Sequence, residues 1–247
     1  MLTIVCWKWE PLNPNYRSKF SAEHVNTFAK MVDRHYRLPH EIVCVTDDPR
    51  GLDPCIRHVP LWDTFRFVQS PLGVEYPACY ARLRAFDASM SSVFGNRFIS
   101  VDLDCVITGD VTDLWSRQED FIIWENSTRP TTAPGVPLKP ITPYNGSMWM
   151  MNAGARQQVF TDFDPVKSPI DTYNAGYVGS DQAWFAYKIP GEVTWKKEDG
   201  VYSWRQHMKN RMYMLPEDAK IVFFQGQEDP WDESARAKAS WIEEHYR

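Results

Sequence analysis

The sequence predicts an α/β fold with a mostly parallel central sheet and a smaller antiparallel part, and three observations support that class. The chain opens with an apolar run, a helical stripe and a second apolar run, the pattern of a βαβ unit with parallel strands. A later apolar strand ends in two aspartates, where open α/β sheets place a ligand crevice. The second half offers strands without clear helices between them, which indicates antiparallel pairing. We therefore expect a Rossmann-like domain.

Six elements are predicted in the first half of the chain, and each strand is an apolar or β-branched run of the kind that is covered on both faces of a sheet. In chain order they are a strand at Leu2–Trp7, a helix from the N-cap Ser21 to before Pro39, strands at Glu41–Thr46 and Ile56–Leu61, a helix at Ala78–Met90 and a strand at Arg97–Val106.

The second half contains two further predicted strands, Phe121–Glu125 and Tyr144–Asn152. Between them, the proline- and threonine-rich stretch Ser127–Pro143 predicts a loop, either a lid over a site or a plain insertion. A length of 247 residues fits one large domain or two small ones. We predict a single domain over 1–247, with a first half at 1–115 and a second half at 116–247.

The composition is that of a globular protein, with 43% hydrophobic, 24% charged and 14% aromatic residues. These values exclude a disordered, collagen-like or coiled-coil chain. The net charge of -5 disfavours general binding to nucleic acids, because it repels a polyanion. Basic side chains nevertheless cluster between Lys196 and Arg211, where they form either a local basic patch or an ordinary solvated face.

The chain carries no signal for a membrane or for export. No segment approaches the ~18 to 20 consecutive apolar residues of a membrane helix, and the first residues lack the basic region and cleavage site of a leader. The five cysteines have no paired spacing, and Cys6, Cys44 and Cys105 lie in or beside apolar runs. Reduced thiols are expected in place of disulfides or a cysteine zinc site, which favours a cytoplasmic protein.

The pair Asp102 and Asp104 is the first candidate for chemistry. Residues two apart on an extended chain face the same way, so both carboxylates can aim at one divalent cation. Oxygen ligands suit Mg²⁺ or Mn²⁺. The pair follows the apolar run Phe98–Val101, where charges are costly unless something neutralises them. A metal ion that carries a diphosphate would do so.

Five motifs, in order, resemble one enzyme family. They are Tyr80–Arg84, the acidic strand with Asp113–Trp115, Tyr144–Asn152, Asp181–Gln182 and Val222–Trp231. These motifs resemble the GT-A glycosyltransferases of the glycogenin and bacterial galactosyltransferase type (family 8), which also occur in phages. The resemblance covers about residues 2 to 232. It implies one GT-A domain over 1–247, with a nucleotide-binding half at 1–115 and an acceptor-side half at 116–247. It further implies a metal-dependent hexosyl- or pentosyltransferase that moves a sugar from a nucleoside-diphosphate sugar, a UDP-sugar by the same resemblance, to a hydroxyl acceptor.

The resemblance also implies roles for particular residues. Asn145, Asp181 and Gln182 would be catalytic groups beside the transferred sugar. The donor-binding residues would be Trp7, Arg82, Arg84, Asp102, Leu103 and Gly226, and the Mn²⁺ or Mg²⁺ ligands would be Asp102, Asp104 and Gln225. Chemically, a metal ion with Arg82 or Arg84 can neutralise a leaving diphosphate, and short polar groups can fix sugar hydroxyls. Trp7, with Trp9, could flank the base. Ordinary core or surface packing is the alternative for these tryptophans and for the sugar-side residues.

The closing motif departs from the family pattern at two positions. Val222–Trp231 resembles His-x-x-Gly-x-x-Lys-Pro-Trp, but Phe223 stands where the family has a metal-binding histidine. Asp229 stands where a lysine would contact the diphosphate. Gln225 or water is left to complete the metal shell.

Two rival functions remain open at this stage. Asp102–Val106 also fits the opening strand of haloacid-dehalogenase-like phosphatases, with Asp102 as nucleophile, but here a βαβ unit precedes it and no later acid pair fits. A degenerate sugar- or nucleotide-binding protein is kept open by Phe223 and Asp229. For an active transferase, a saccharide acceptor is favoured over a hydroxymethylated DNA base because of the net negative charge. The resemblance favours retention at the anomeric carbon, and an inverting reaction would make Asp181 the base.

Overall fold

A seven-stranded sheet and a three-stranded sheet form the framework of the protein. They are seen in a computed structural model that describes residues 1–14, 16, 19–74, 76, 78–126 and 142–247. The strands of these ranges are β1 (Leu2–Lys8), β2 (His40–Thr46), β3 (Arg57–Pro60), β4 (Arg97–Val101), β5 (Cys105–Ile107), β6 (Phe121–Glu125), β7 (Tyr144–Asn152), β8 (Thr194–Trp195), β9 (Val201–Ser203) and β10 (Ile221–Phe223). The predicted loop at 127–143 lies outside the described residues except for Thr142 and Pro143.

Only the first α-helix is long, and it buries the apolar stripe of Val25, Phe28 and Val32. The α-helices are α1 (Ala22–His35), α2 (Ser91–Phe94), α3 (Gln158–Thr161), α4 (Lys167–Asn174), α5 (Asp181–Lys188), α6 (Glu233–Lys238) and α7 (Trp241–His245). The 3-10 helices are Tyr80–Phe86, Ala88–Met90, Leu114–Ser116, Lys197–Asp199 and Lys209–Arg211, and Trp204–Met208 forms a π-helical turn. Within the described ranges, no helix has the length and apolar character needed to cross a membrane.

The large sheet has the strand order β3-β2-β1-β4-β7-β6-β8. Its first four strands run parallel, with β1 between β2 and β4, and β8 is parallel to β6. Strand β7 is antiparallel to both β4 and β6. In the small sheet, β10 pairs antiparallel with β5 and parallel with β9. This confirms the predicted α/β class with a mostly parallel central sheet, in which the antiparallel pairing comes from the second half.

Two apolar layers cover the faces of the large sheet. Ile4 and Cys6 of β1 face the layer that holds α1 and the small sheet, whereas Val5 and Trp7 face the layer that holds α5. Every residue of β1 is therefore buried, as expected for a strand covered on both sides. All five cysteines are free thiols. The covered strands give the polar residues at their ends a rigid support.

The predicted fourth strand, Arg97–Val106, is wrong in its extent. Strand β4 ends at Val101, and β5 begins at Cys105 in the other sheet. The backbone N–H of Asp102 still donates to the Ser147 carbonyl at 2.8 Å, whereas the Asp104 carbonyl accepts from the N–H of Phe224 at 2.7 Å. The chain thus crosses between sheets at the two aspartates, which an apolar pattern alone does not reveal.

The predicted helix at Ala78–Met90 is wrong in its type and limits. The segment forms 3-10 helices at Tyr80–Phe86 and Ala88–Met90 and then α2. Asp87 interrupts it, because its backbone is extended and its carboxylate accepts from the N–H of Ser89 at 3.0 Å. A side chain that hydrogen-bonds the nearby backbone competes with the α-helix, and here this competition outweighs the helical spacing of the apolar residues.

Gly200 forms the turn that leads into β9, and its substitution should destabilise the fold. Its φ is +87°, and a Cβ there would lie 2.6 Å from the Asp218 carbonyl oxygen. We expect Gly200→Ala to lower the free energy of unfolding by more than the ~1–3 kcal/mol of left-handed strain alone. Gly191→Ala is the matched control, since Gly191 has φ +82° and no atom within 4 Å of its Cβ position. Urea unfolding measures both variants, and equal losses would contradict the importance of the close contact.

Candidate functional site

An arginine between two aspartates lies at the centre of the candidate site. Nη1 of Arg82 is 2.5 Å from Oδ1 of Asp102, and Nε is 2.8 Å from Oδ2 of Asp181. Nη1 also donates to the Gly146 carbonyl at 3.3 Å. Arg82 and Asp181 are only 5% and 2% exposed. We call Asp102, Arg82 and Asp181 the ion triplet.

The ion triplet is held together by its charges. Burial alone would lower the pKa of Arg82, but the carboxylates of Asp102 and Asp181 outweigh burial and raise that pKa well above its ordinary value. Arg82 is therefore protonated throughout the pH range of the folded protein. Removing one partner of a buried ion pair leaves an uncompensated charge, at a cost of about 3–5 kcal/mol. The triplet consequently supports the fold as well as the site.

Three separate elements supply the ion triplet. Arg82 comes from the 3-10 helix Tyr80–Phe86, Asp102 follows the end of β4, and Asp181 is the first residue of α5. Parallel strands end at this edge of the large sheet, so the backbone there gives way to side chains that can meet a ligand. The structure therefore brings together residues about 20 and 80 positions apart in the sequence.

Asn145 and Gln182 lie beside the ion triplet. The Asn145 Oδ1 accepts from the N–H of Ser147 at 2.9 Å, and the Gln182 Oε1 accepts from the N–H of Gly146 at 3.3 Å. In the described part of the chain, neither side-chain NH₂ group has a protein acceptor. A methyl group on Gly146 would lie 3.4 Å from both carboxylate oxygens of Asp181. The predicted catalytic residues Asn145, Asp181 and Gln182 are thus neighbours, with two amide donors available.

The surroundings of the Asp104 carboxyl group disfavour its charged form. Burial raises the pKa of its carboxyl group well above the ordinary value, and the carboxylates of Asp102 and Asp229 raise it further. A hydrogen bond from its own backbone N–H opposes this rise in part, and no ion pair of Asp104 occurs within the residues that the structure describes. The proximity of Asp229 to Asp104 was not predicted, and the sequence gives no signal for it beyond the departure from lysine. Asp102 and Asp229 thus both disfavour the ionisation of Asp104.

The other residues assigned to the donor are placed differently. Trp7 is 4% exposed, and its indole N–H donates to the Ser100 hydroxyl at 2.7 Å. Leu103 is 1% exposed and belongs to the core. Arg84 donates to the Thr64 hydroxyl at 3.0 Å and lies over the ring of Trp62. The structure therefore does not join Trp7, Leu103 or Arg84 to the ion triplet by any described contact.

The closing segment places Phe223 and Gln225 in different surroundings. Phe223 is fully buried and stacks on Trp124 with 4.7 Å between ring centroids. The Gln225 Oε1 accepts from the Ser203 hydroxyl at 2.7 Å, and Gly226 follows with φ +113°. Phe223 therefore belongs to the core. Ser203, which orients Gln225, was missed by sequence reasoning because a serine after a short apolar run carries no specific signal.

The acidic residues suit a hard divalent cation that shares its coordination with a ligand. No cluster of three or more His, Cys, Asp or Glu side chains able to hold a metal ion occurs in the described ranges. Mg²⁺ is commonly held by one or two carboxylates together with substrate phosphates and water. Asp102 and Asp104 offer carboxyl groups of this kind, and a cation beside Asp104 would favour its charged form. The Gln225 oxygen, with one lone pair engaged by Ser203, retains a second.

Several solved structures that align with this chain are glycosyltransferases. The galactosyltransferase LgtC, solved with donor and acceptor sugar analogs, aligns with a TM-score of 0.60 and 13% identity over 99% of this chain and 96% of its own. The glycosyltransferase GlyE of Streptococcus pneumoniae TIGR4 aligns with a TM-score of 0.56 and 14% identity, over 98% of this chain and 60% of its own. Mouse xyloside xylosyltransferase 1 aligns with a TM-score of 0.53 and 10% identity, over 91% of this chain and 97% of its own. No family model matches the sequence, and no curated protein matches it. The protein has the GT-A fold, as the sequence motifs predicted.

Restoring a histidine at position 223 should damage the fold without creating a metal ligand. The imidazole would replace a fully buried ring that stacks on Trp124, and it would bring unpaired polar atoms into the core. We expect Phe223→His to cost about 2–4 kcal/mol of unfolding free energy, more than the matched variant Phe223→Leu. Denaturant unfolding with and without Mn²⁺ checks this, and a stabilisation of Phe223→His by the metal would contradict it.

His207 should make the fold sensitive to acid. Its Nδ1 accepts from the N–H of Ser203 at 3.0 Å, which requires an unprotonated Nδ1. Burial, with help from Lys197, lowers the pKa of His207 in the folded protein. Its contribution to stability is therefore present above the unfolded pKa of about 6.5 and is lost as the pH falls through the lowered folded value.

We expect the melting temperature to fall between pH 7.5 and pH 5, and to fall less in His207→Gln. The half-buried His24, His35 and His245 also have lowered pKa values and contribute to the decrease, so the difference between the two proteins is the measured quantity. An identical decrease in both would show that His207 does not titrate against the fold.

Proposed function

We propose that the protein is a glycosyltransferase that moves a sugar from a nucleoside-diphosphate sugar to a hydroxyl group. The observation that carries the proposal is the ion triplet at the end of β4, flanked by Asn145 and Gln182, in a chain with the GT-A fold. Ligands of open α/β sheets bind at such strand ends. Buried charges and amides with free donors are costly in a core, and their concentration supports a binding site.

In the proposed reaction, the bond between the anomeric carbon and the diphosphate oxygen breaks, and its electron pair leaves with the diphosphate. The acceptor hydroxyl oxygen forms the new bond to that carbon, and its proton is released to solvent. The products are a glycoside, a nucleoside diphosphate and one proton. The main demand on the protein is therefore to stabilise negative charge on the leaving group.

The chain's own residues divide this work. The NH₂ groups of Asn145 and Gln182 can donate to sugar hydroxyls, which fixes the ring by directional hydrogen bonds. Arg82 holds Asp102 and Asp181 in position. Asp102 and Asp104 would hold Mg²⁺ or Mn²⁺ with substrate phosphates, with Gln225 as a further oxygen ligand. When bound, the ion supplies a Lewis acid that neutralises the diphosphate.

Retention at the anomeric carbon is part of the proposal. An inverting enzyme needs a base that contacts the acceptor hydroxyl and takes its proton. Asp181 is the candidate among the motif residues, but it is 2% exposed and its Oδ2 is paired with Arg82. That pairing disfavours a role as base and so supports retention.

A uridine donor and a saccharide acceptor complete the proposal. The uridine rests on the motif resemblance. The saccharide rests on the net charge of -5, which opposes contact with duplex phosphates. Exposed basic residues between Lys196 and Arg211 favour a hydroxymethylated DNA base as the second candidate. A binding protein that has lost transfer activity is the outcome to be distinguished.

Donor transfer assays test the function. Radiolabelled UDP-sugars with Mn²⁺ are incubated with a glycan panel and with hydroxymethylated DNA, at low and high salt. We expect transfer to a saccharide at both salt concentrations. Transfer only to DNA, lost at high salt, would show that the acceptor is a hydroxymethylated DNA base and not a saccharide. Binding of UDP without transfer or donor hydrolysis would leave a degenerate binding protein.

Asp104→Asn should separate activity from stability. We expect turnover to fall by at least ~100-fold, because a charged oxygen near the diphosphate is lost. The melting temperature should stay the same or rise, since the substitution removes a carboxylate crowded by Asp102 and Asp229. The matched control is Asp110→Asn, at an exposed aspartate that pairs with Arg37 on the surface. Wild-type turnover in Asp104→Asn would refute the assignment.

A further inference from the structure

A cationic side chain, Arg205, lies at the edge of the small sheet and is not part of the ion triplet. Arg205 lies in the π-helical turn Trp204–Met208, directly after β9. The register of the small sheet aligns Ser203 with Phe223 and Phe223 with Cys105. The residues just beyond these three positions therefore meet at one edge. They include Asp104 before β5, Gln225 after β10 and Arg205 after β9.

The turn that carries Arg205 is fixed by packing and hydrogen bonds. The ring of Trp204 stacks on Phe224 with 4.6 Å between centroids, and its indole N–H donates to the Glu228 carboxylate at 3.0 Å. One residue earlier, the Ser203 hydroxyl donates to Gln225 and accepts from the N–H of Gln206. These contacts hold the start of the turn in one position relative to the closing segment.

The side chain of Arg205 lies against Gly226. A Cβ built on Gly226 would be 3.5 Å from the Arg205 Cδ and 3.9 Å from its Nη1. Gly226 has φ +113°, a conformation that side-chain-bearing residues rarely adopt. The guanidinium is thus placed beside the exposed backbone that follows Gln225. An arginine presents planar donors there, in a geometry that matches phosphate oxygens.

The positive charge of Arg205 is not paired with any described acidic residue. It is exposed, and within the part of the chain that the structure describes it has no ion pair or side-chain hydrogen bond. Arg82, in contrast, is bound to Asp102 and Asp181. The nearby acid Glu228 already accepts from Trp204, Ser234 and Lys238. Arg205 is therefore a positioned cation that no described residue neutralises.

We propose that Arg205 binds the diphosphate of the sugar donor and stabilises it as the leaving group. This inference rests on the proposed glycosyltransferase function. A nucleoside diphosphate gains negative charge when the sugar bond breaks, and it must approach a site already rich in carboxylates. Asp229 stands where the resembling family has a lysine, so this position brings no positive charge. Arg205 supplies the compensating positive charge from the neighbouring turn.

Binding and turnover of three variants test the role. Arg205→Ala removes the cation, Arg205→Lys keeps a charge without the planar fork, and Arg211→Ala is the matched control from an exposed position of the same basic stretch. Dissociation constants are measured with Mn²⁺ for UDP and for UMP, which lacks the β-phosphate. GDP and dTDP, each with its monophosphate, are used if UDP does not bind. Circular dichroism and thermal unfolding confirm that each variant folds.

We expect Arg205→Ala to weaken UDP binding by about 5–20-fold and UMP binding by much less, so that the preference for the diphosphate shrinks. The salt dependence of UDP binding should also become shallower. Arg205→Lys should recover part of the loss, kcat should fall in Arg205→Ala, and Arg211→Ala should match the wild type.

Two results would overturn the inference while the proposed function stands. One is a wild-type protein that transfers sugar and an Arg205→Ala variant that binds UDP and turns over equally well. The other is an equal loss for UDP and UMP, which would indicate a disturbed turn in place of a lost phosphate contact. A wild-type protein that binds no nucleoside diphosphate and transfers no sugar would remove the proposed function together with the inference.

Discussion

The buried arginine of the ion triplet is the constraint on which the site depends. A guanidinium that is 5% exposed is tolerated only because two carboxylates contact it, and each carboxylate is in turn fixed by the arginine. Arg82 thereby ties the end of β4 to the start of α5. These elements belong to the two halves of the chain, so the ion triplet links the halves in addition to the pairing of β4 with β7. Stability and function consequently share the same three side chains.

The crossing from the large to the small sheet explains where the acids lie. The Asp102 N–H completes the pairing with β7, and the Asp104 carbonyl begins the pairing with β10. Each aspartate therefore uses its backbone in a different sheet, and its side chain lies in the gap where the sheets diverge. The same crossing brings the ends of β9 and β10, with Ser203 and Gln225, to the acidic residues. The candidate site is therefore built from both sheets, because residues 102–104 interrupt the apolar run between β4 and β5.

Local sequence patterns predicted β1, α1 and β2 well. The buried apolar residues of each element recur with the spacing of its own strand or helix. The motif order predicted that Asn145, Asp181 and Gln182 would lie together, which spacing alone could not. Other features depend on partners distant in the sequence. The Trp7 indole is used by Ser100, and the Asp87 carboxylate turns a helical pattern into 3-10 segments. Such contacts are decided by tertiary structure, so no local reading of these residues finds them.

The departures at Phe223 and Asp229 are consistent with one change in how charge is balanced. Phe223 gives the core a ring stacked on Trp124 where a polar ligand would be costly. Asp229 adds a carboxylate near Asp104. In the proposed function, a donor diphosphate would approach Asp102 and Asp104, and phosphate and carboxylate repel each other at short range. The proposal therefore couples donor binding to the binding of a cation.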